Sequence, residues 1–164
     1  MTVHVNKDRL TETPPLEAVS YGKKKGGLIY ADIELISGDD LALYRRGFIT
    51  DDQIKRMKVS VLVDSGAYML VINDHIKGQL DLPVLEEQTA RLDDETEIRV
   101  EVAGPVEVRF ENRSTTVRAM VFPGNAEPLL GVIAMEDMDV VVDPKQQRLI
   151  VNPENPYIAR KSVK

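Results

Sequence analysis

The chain has 164 residues, 43% hydrophobic and 29% charged, the profile of one globular domain with short extensions. Its 21 Lys and Arg against 27 Asp and Glu leave a net charge of −6, which argues against a phosphate-tracking surface and so against nucleic acid as a partner. The absence of cysteine removes disulfides, thiol catalysis and thiolate metal sites, and two histidines, His4 and His75, cannot alone build a zinc site, so neither metal nor cofactor is expected.

Residues 1–27 carry few large apolar side chains, a Pro14-Pro15 pair and the run Lys23-Lys24-Lys25-Gly26-Gly27, and a flexible arm is predicted there. Three lysines without an amphipathic helix read as a solvated linker rather than an anionic-surface anchor. The first ten residues hold no hydrophobic signal core, and no apolar run approaches the roughly 18 residues of a membrane span. The expectation is a cytoplasmic protein with no membrane partner.

From Leu28 to Ile36 the pattern turns β-branched and alternating, with Asp32 and Glu34 on the wet face of a half-buried strand. Ser37-Gly38-Asp39-Asp40 reads as a turn capping a helix over 41–46 that ends at Gly47. Thr50 with Gln53 forms a capping box for a second helix over 51–57. Extended structure resumes over 58–63, runs into Asp64-Ser65-Gly66-Ala67, and returns over 68–72, after which Asn73 caps a helical turn to Gly78. Strands follow over 87–92 and 97–102 around a polar tip, then a turn at Gly104-Pro105, then strands over 106–110 and 115–122. Asn112-Arg113-Ser114 matches a glycosylation acceptor but reads as the turn between these strands. Last come Leu129-Leu130-Gly131, a helix over 132–138 and a hairpin of 140–142 with 149–151 around Asp143-Pro144-Lys145. Short, closely spaced strands imply a compact, closed β fold.

One segment breaks the local rules. Val61-Leu62-Val63 is a buried-looking apolar strand that ends on the carboxylate of Asp64, and a buried charge is costly unless it is hydrogen-bonded. Alone, Asp64-Ser65-Gly66 is an Asx turn closing a loop. Together with the later Leu129-Leu130-Gly131 before a helix, it resembles the retropepsin-like (clan AA) aspartic proteases, bacterial type, over residues 28–151.

That resemblance implies a mainly β, closed-barrel acid protease fold, one lobe per chain, with short helices inserted. The domain would span 28–152, between the arm and a tail of 153–164. It also implies an endopeptidase acting on peptide or protein substrates, with Asp64 activating the attacking water. Two carboxyls roughly 3 Å apart cannot both ionise, so one acts as acid and the other as base. The chain holds a single Asp-Ser-Gly; Asp143-Pro144 lacks both hydroxyl and glycine, so a homodimer with Asp64 from each copy is expected. In the family pattern Ser65 cross-links the two loops, Gly66 permits close backbone approach, Ala67 lies beneath the loop, and Leu130 and Gly131 pack behind it.

Two departures stand out. Viral members carry an Asp after the Ala, paired with an Arg after the later Gly, where this chain has Tyr68 and Val132; a different dimer brace is expected. Family flaps are often glycine-bearing, whereas the flap candidates here, Leu92, Asp93, Asp94, Glu95 and Thr96, include no glycine and are acidic, which reads first as a solvated hairpin turn and otherwise as a tip that disfavours acidic peptides and favours basic ones. The insertion at 41–57 could brace a dimer or cover the site. A non-catalytic dimerisation or peptide-binding module, taking a strand along the 90–102 hairpin, is the alternative. A serine hydrolase using Ser65 and His75 lacks the Gly-x-Ser-x-Gly elbow. Self-cleavage, if it occurs, would fall within the arm.

Overall fold

The computed structural model describes residues 3–5, 27–92 and 94–161, with backbone alone for 3–5. The fold is mainly β. Among the described residues ten strands run as β1 (Val3–Val5), β2 (Tyr30–Ser37), β3 (Arg56–Val63), β4 (Leu70–Asn73), β5 (Val84–Leu92), β6 (Glu97–Phe110), β7 (Arg113–Phe122), β8 (Leu129–Leu130), β9 (Val140–Asp143) and β10 (Arg148–Val151), with three α-helices between them, α1 (Gly38–Arg45), α2 (Asp74–Leu80) and α3 (Val132–Met138). Among the described residues no helix is long and apolar enough to cross a membrane.

The first eight strands form one sheet in the order β1-β5-β6-β2-β3-β8-β4-β7, and β6 pairs with β7 as well. That last pairing closes a ring, β6-β2-β3-β8-β4-β7, leaving β5 and β1 as a flap of sheet outside it. Every ring strand sends side chains to one cluster, among them Leu35, Val63, Ile72, Val108, Val121 and Leu130, joined by Ile76 and Leu80 of α2 and Met138 of α3. A second cluster lies on the other face of the same strands, where Leu62, Val71, Met120, Phe122 and Leu129 meet Ala90 and Leu92 of β5 and Val100 and Val102 of β6. Successive residues of β3, β4, β7 and β8 therefore serve opposite cores. Hence Val61-Leu62-Val63 is apolar without a break: a strand buried on both faces has no wet side.

Gly104-Pro105 is not the turn the sequence suggested. β6 runs through it, with the register against β7 shifting between Ala103 and Val106. Before the shift the even-numbered Val100 and Val102 face the second cluster; after it Val106, Val108 and Phe110 face the first. The extra residue flips the alternation, so one long strand serves both cores. Gly104 has φ +153°, a conformation glycine reaches without strain.

α1 starts earlier than expected, at Gly38, with the Ser37 hydroxyl accepting from the Asp40 N–H at 3.2 Å. The capping box of Thr50 and Gln53 is present, but the helix it starts is a single 3-10 turn, Asp51–Gln53. Arg56 and Met57 belong instead to β3, paired with Ile36 and Leu35. The β2–β3 hairpin places this insertion at the end away from Asp64, because Tyr30 pairs with Leu62 whereas Ile36 pairs with Arg56. The separation is about 23 Å along the strand, so the insertion does not cover the Asp64 loop of its own chain. Within the stretch read as a flexible arm, Val3–Val5 forms a strand; residues 1, 2 and 6–26 lie outside the described residues. The tail folds back on its own domain: Asn155 and the Arg160 N–H donate to Asp139 at 2.8 and 2.9 Å, and Lys161 pairs with Asp137 at 3.1 Å. Residues 162–164 are outside the description.

Asp40 pins the insertion to the ring. It is 8% exposed, and its Oδ2 accepts from the Lys55 N–H and pairs with the Lys55 ammonium, both at 2.9 Å. Burial pushes its carboxyl up, but the Lys55 backbone N–H and ammonium outweigh that and hold it below the usual range. Asp40→Ala is expected to cost about 2 kcal/mol, read as a lowered midpoint in urea. Because the folded pKa is lowered, this contribution is complete above the ordinary aspartate value of about 4 and fades as pH falls through the folded value. The gap between wild type and variant should narrow on acidification; a gap constant with pH would contradict it.

Candidate functional site

β3 delivers Asp64 to the point where the two cores meet. Its side chain is 4% exposed, and Oδ1 accepts from the Gly66 N–H at 2.9 Å, the Asx turn anticipated from sequence. The Asp64 carbonyl accepts from the Ala67 N–H at 3.0 Å, so the loop closes on itself within four residues. Ser65 and Gly66 are exposed at the loop's crest, while Ala67 is buried beneath it at 2% exposure.

What holds this loop comes from far along the chain. β8 sits between the strands that enter and leave it, parallel to β3 (Leu62 with Leu129, Val63 with Leu130) and antiparallel to β4 (Val71 with Leu129). The ladder continues into the loop through the Asp64 N–H, which donates to the Leu130 carbonyl at 3.0 Å. Gly131 then passes directly over the loop backbone. A Cβ built there would lie 2.6 Å from the Met69 carbonyl oxygen and 2.8 Å from those of Ala67 and Tyr68. Beyond it, the first amides of α3 donate back, Val132 to Ala67 at 2.9 Å and Ile133 to Tyr68 at 3.2 Å. Helix-terminal N–H groups that need partners thus find them in the loop.

Of the residues singled out from sequence, Asp64, Ser65, Gly66, Ala67, Leu130 and Gly131 come together in this crossing. Tyr68 and Val132, the positions where a charged pair was missing, both lie in this crossing but bond different partners, the Val132 N–H the Ala67 carbonyl and the Tyr68 carbonyl the Ile133 N–H, and Tyr68 is 45% exposed. The hairpin candidates divide. Leu92, the last residue of β5 before the turn, is buried in the second cluster, which also holds Ala67 and Met69. Asp94, Glu95 and Thr96 form an exposed turn in which the Asp94 carboxylate accepts from the Thr96 hydroxyl and N–H, at 2.6 and 3.1 Å. Asp93 lies outside the described residues. His75 is exposed on α2.

The sequence reading missed Met69, buried in the second cluster, and the anchoring of residues 124–126. There the Asn73 amide donates to the Ala126 carbonyl at 2.9 Å, and Asp74 accepts from the Gly124 N–H at 3.1 Å. The cap signal at Asn73 was legible; its second bond was not. Among the described residues no three His, Asp or Glu side chains gather as a metal-binding group. No family model matches the chain, and no curated protein matches it.

Gly131→Ala is expected to destabilise the fold by about 3 kcal/mol, because three backbone oxygens must move to admit the methyl group. Gly78→Ala, at a helical position with open space around it, should be neutral or stabilising by about 0.5 kcal/mol. Thermal unfolding of both variants checks the contrast; equal midpoints would mean that the crossing is not tight.

Proposed function

We propose that the chain is half of an aspartic endopeptidase, a homodimer in which two Asp64 carboxyls activate water against a peptide bond. The supporting observation is the crossing itself: a buried carboxylate on a loop bound by backbone hydrogen bonds on both sides, beneath exposed Ser65 and Gly66. The ring of strand pairings supports the closed barrel of the retropepsin-like resemblance.

One such loop per chain supplies one carboxyl, and the chemistry needs two. With two Asp64 side chains facing across a twofold axis, one proton is shared. The ionised carboxyl takes a proton from water as its oxygen attacks the peptide carbonyl; the protonated one donates to the carbonyl oxygen. The diol then collapses as a proton passes to the departing amine. The pair titrates as a unit, not as two residues with separate pKa values. In this arrangement Ser65 and Tyr68, exposed on the loop, are the groups that brace one copy against the other. The substrate is an extended peptide held beneath the β5–β6 hairpin, whose acidic turn favours basic side chains.

A non-catalytic peptide-binding or dimerisation module is favoured by one feature, the absence of glycine from the hairpin tip, where Glu95 takes φ +71°. It requires binding that survives Asp64→Ala and no turnover at any pH.

Cleavage of a peptide library between pH 4 and 7 separates these readings. The peptidase reading expects turnover by wild type and a loss of about 10³-fold or more in Asp64→Asn. Equal cleavage by both proteins would remove Asp64 from the chemistry.

A further inference from the structure

The β5–β6 hairpin has an outer edge. β6 occupies one side of β5, and among the described residues the other side carries only β1, in parallel, with Val3 opposite Ala90, His4 opposite Arg91 and Val5 opposite Leu92. β1 thus covers the three residues nearest the turn and leaves 84–89 of β5 uncovered among the described residues. A strand edge presents unpaired N–H and C=O groups, a template for any extended chain.

The alternation of β5 identifies which groups face out. Leu92 donates its N–H to the Thr96 carbonyl at 2.7 Å and accepts from the Glu95 N–H at 3.0 Å, so its backbone points inward. Arg91, one residue earlier, therefore points outward, to β1. In a parallel ladder such a residue donates to the residue before its partner and accepts from the residue after it, here Val3 and Val5. The pairs Val3 with Ala90 and Val5 with Leu92 extend the ladder by one residue on either side of it.

We propose that the outer edge of β5 is a docking site for an extended peptide and that the chain's own Val3–Val5 is its resident, displaceable occupant. Three observations carry this. The ladder is only three residues long, so its occupant can exchange. The covered stretch is the one whose side chains Ala90 and Leu92 belong to the same apolar cluster as Ala67 and Met69 of the Asp64 loop, so edge and loop share one core. The occupant and the edge match in charge: the strand ends with Val5 opposite Leu92, beside the exposed carboxylates of Asp94 and Glu95, and Lys7, Asp8 and Arg9, net +1, follow Val5 in the sequence. The partner that fits is a β-forming segment followed by basic residues. The 21 residues 6–26 tether such a segment to the domain, so it docks without the concentration dependence of a free peptide. While it is docked, no other chain can pair with 90–92. The docking does not depend on Asp64 being catalytic.

Amide hydrogen exchange on the full-length chain tests this, with Val5→Pro removing the donor to Arg91 and a Val3→Gly/Val5→Gly variant as a second disruption should proline perturb folding. The Arg91 amide is expected to exchange at least tenfold faster in either variant, while Val100 and Val102, on the β6 side, stay unchanged. A synthetic peptide of residues 1–9, added at millimolar concentration, should restore protection, and the same peptide with Lys7→Glu and Arg9→Glu should need at least tenfold more. Unchanged Arg91 exchange in both variants, or no restoration by the wild-type peptide, would overturn the proposal. Equal restoration by the charge-reversed peptide would overturn the basic partner. None of these readouts involves cleavage, so a failed peptidase assay leaves the result intact.

Discussion

The passage of residues 129–132 across the Asp64 loop is the constraint on which the rest of the structure depends. Leu129 and Leu130 are a strand of two residues, too short to be stable alone. They hold because β3 pairs with them on one side and β4 on the other, and because Leu129 and Leu130 insert into the two cores in turn. Removing β8 would break the ring between β3 and β4, each of which pairs with it in the sheet order. The same two residues that close the ring therefore fix the loop carrying the buried carboxylate. Gly131 is the geometric condition, since any side chain there meets three carbonyl oxygens.

That economy explains why an acidic side chain can sit at the junction of two apolar clusters. A buried carboxylate is costly, and the Gly66 N–H that binds Oδ1 lowers the cost. Under the peptidase proposal a second copy of the same loop makes a shared-proton pair, and the one Asp-Ser-Gly in the sequence becomes a statement of stoichiometry rather than a limit on chemistry. The hairpin shares a core with the loop, because Ala90 and Leu92 lie in the same apolar cluster as Ala67 and Met69.

Local pattern carried the sequence reading furthest where one periodicity served one core. β2 alternates Ala31, Ile33 and Leu35 inward against Tyr30 and Asp32, and α3 and the β9–β10 hairpin fall where the pattern put them. It failed where tertiary demands overrode a local signal. Gly104-Pro105 is a turn signal by composition, yet the chain needs a parity flip there, not a reversal. The Thr50 capping box is real, but the helix stops after one turn because Met57 is required opposite Leu35. β1 left no trace, since three residues amid polar sequence acquire a strand only from the edge they meet. The pairing of Asp64 with Leu130 and Gly131 was legible only through the resemblance that couples Asp-Ser-Gly-Ala to a later Leu-Leu-Gly; Met69 satisfies only volume, which many residues could fill.

The claim that each chain holds half of a dyad is tested most directly by subunit mixing. Wild-type chains are exchanged with increasing proportions of Asp64→Asn chains at fixed wild-type concentration, and peptide cleavage per wild-type chain is measured. Paired carboxyls predict that this activity falls in proportion to the wild-type fraction, because mixed dimers are inactive. Activity per wild-type chain that stays constant across the series would show that one Asp64 suffices and would contradict the account.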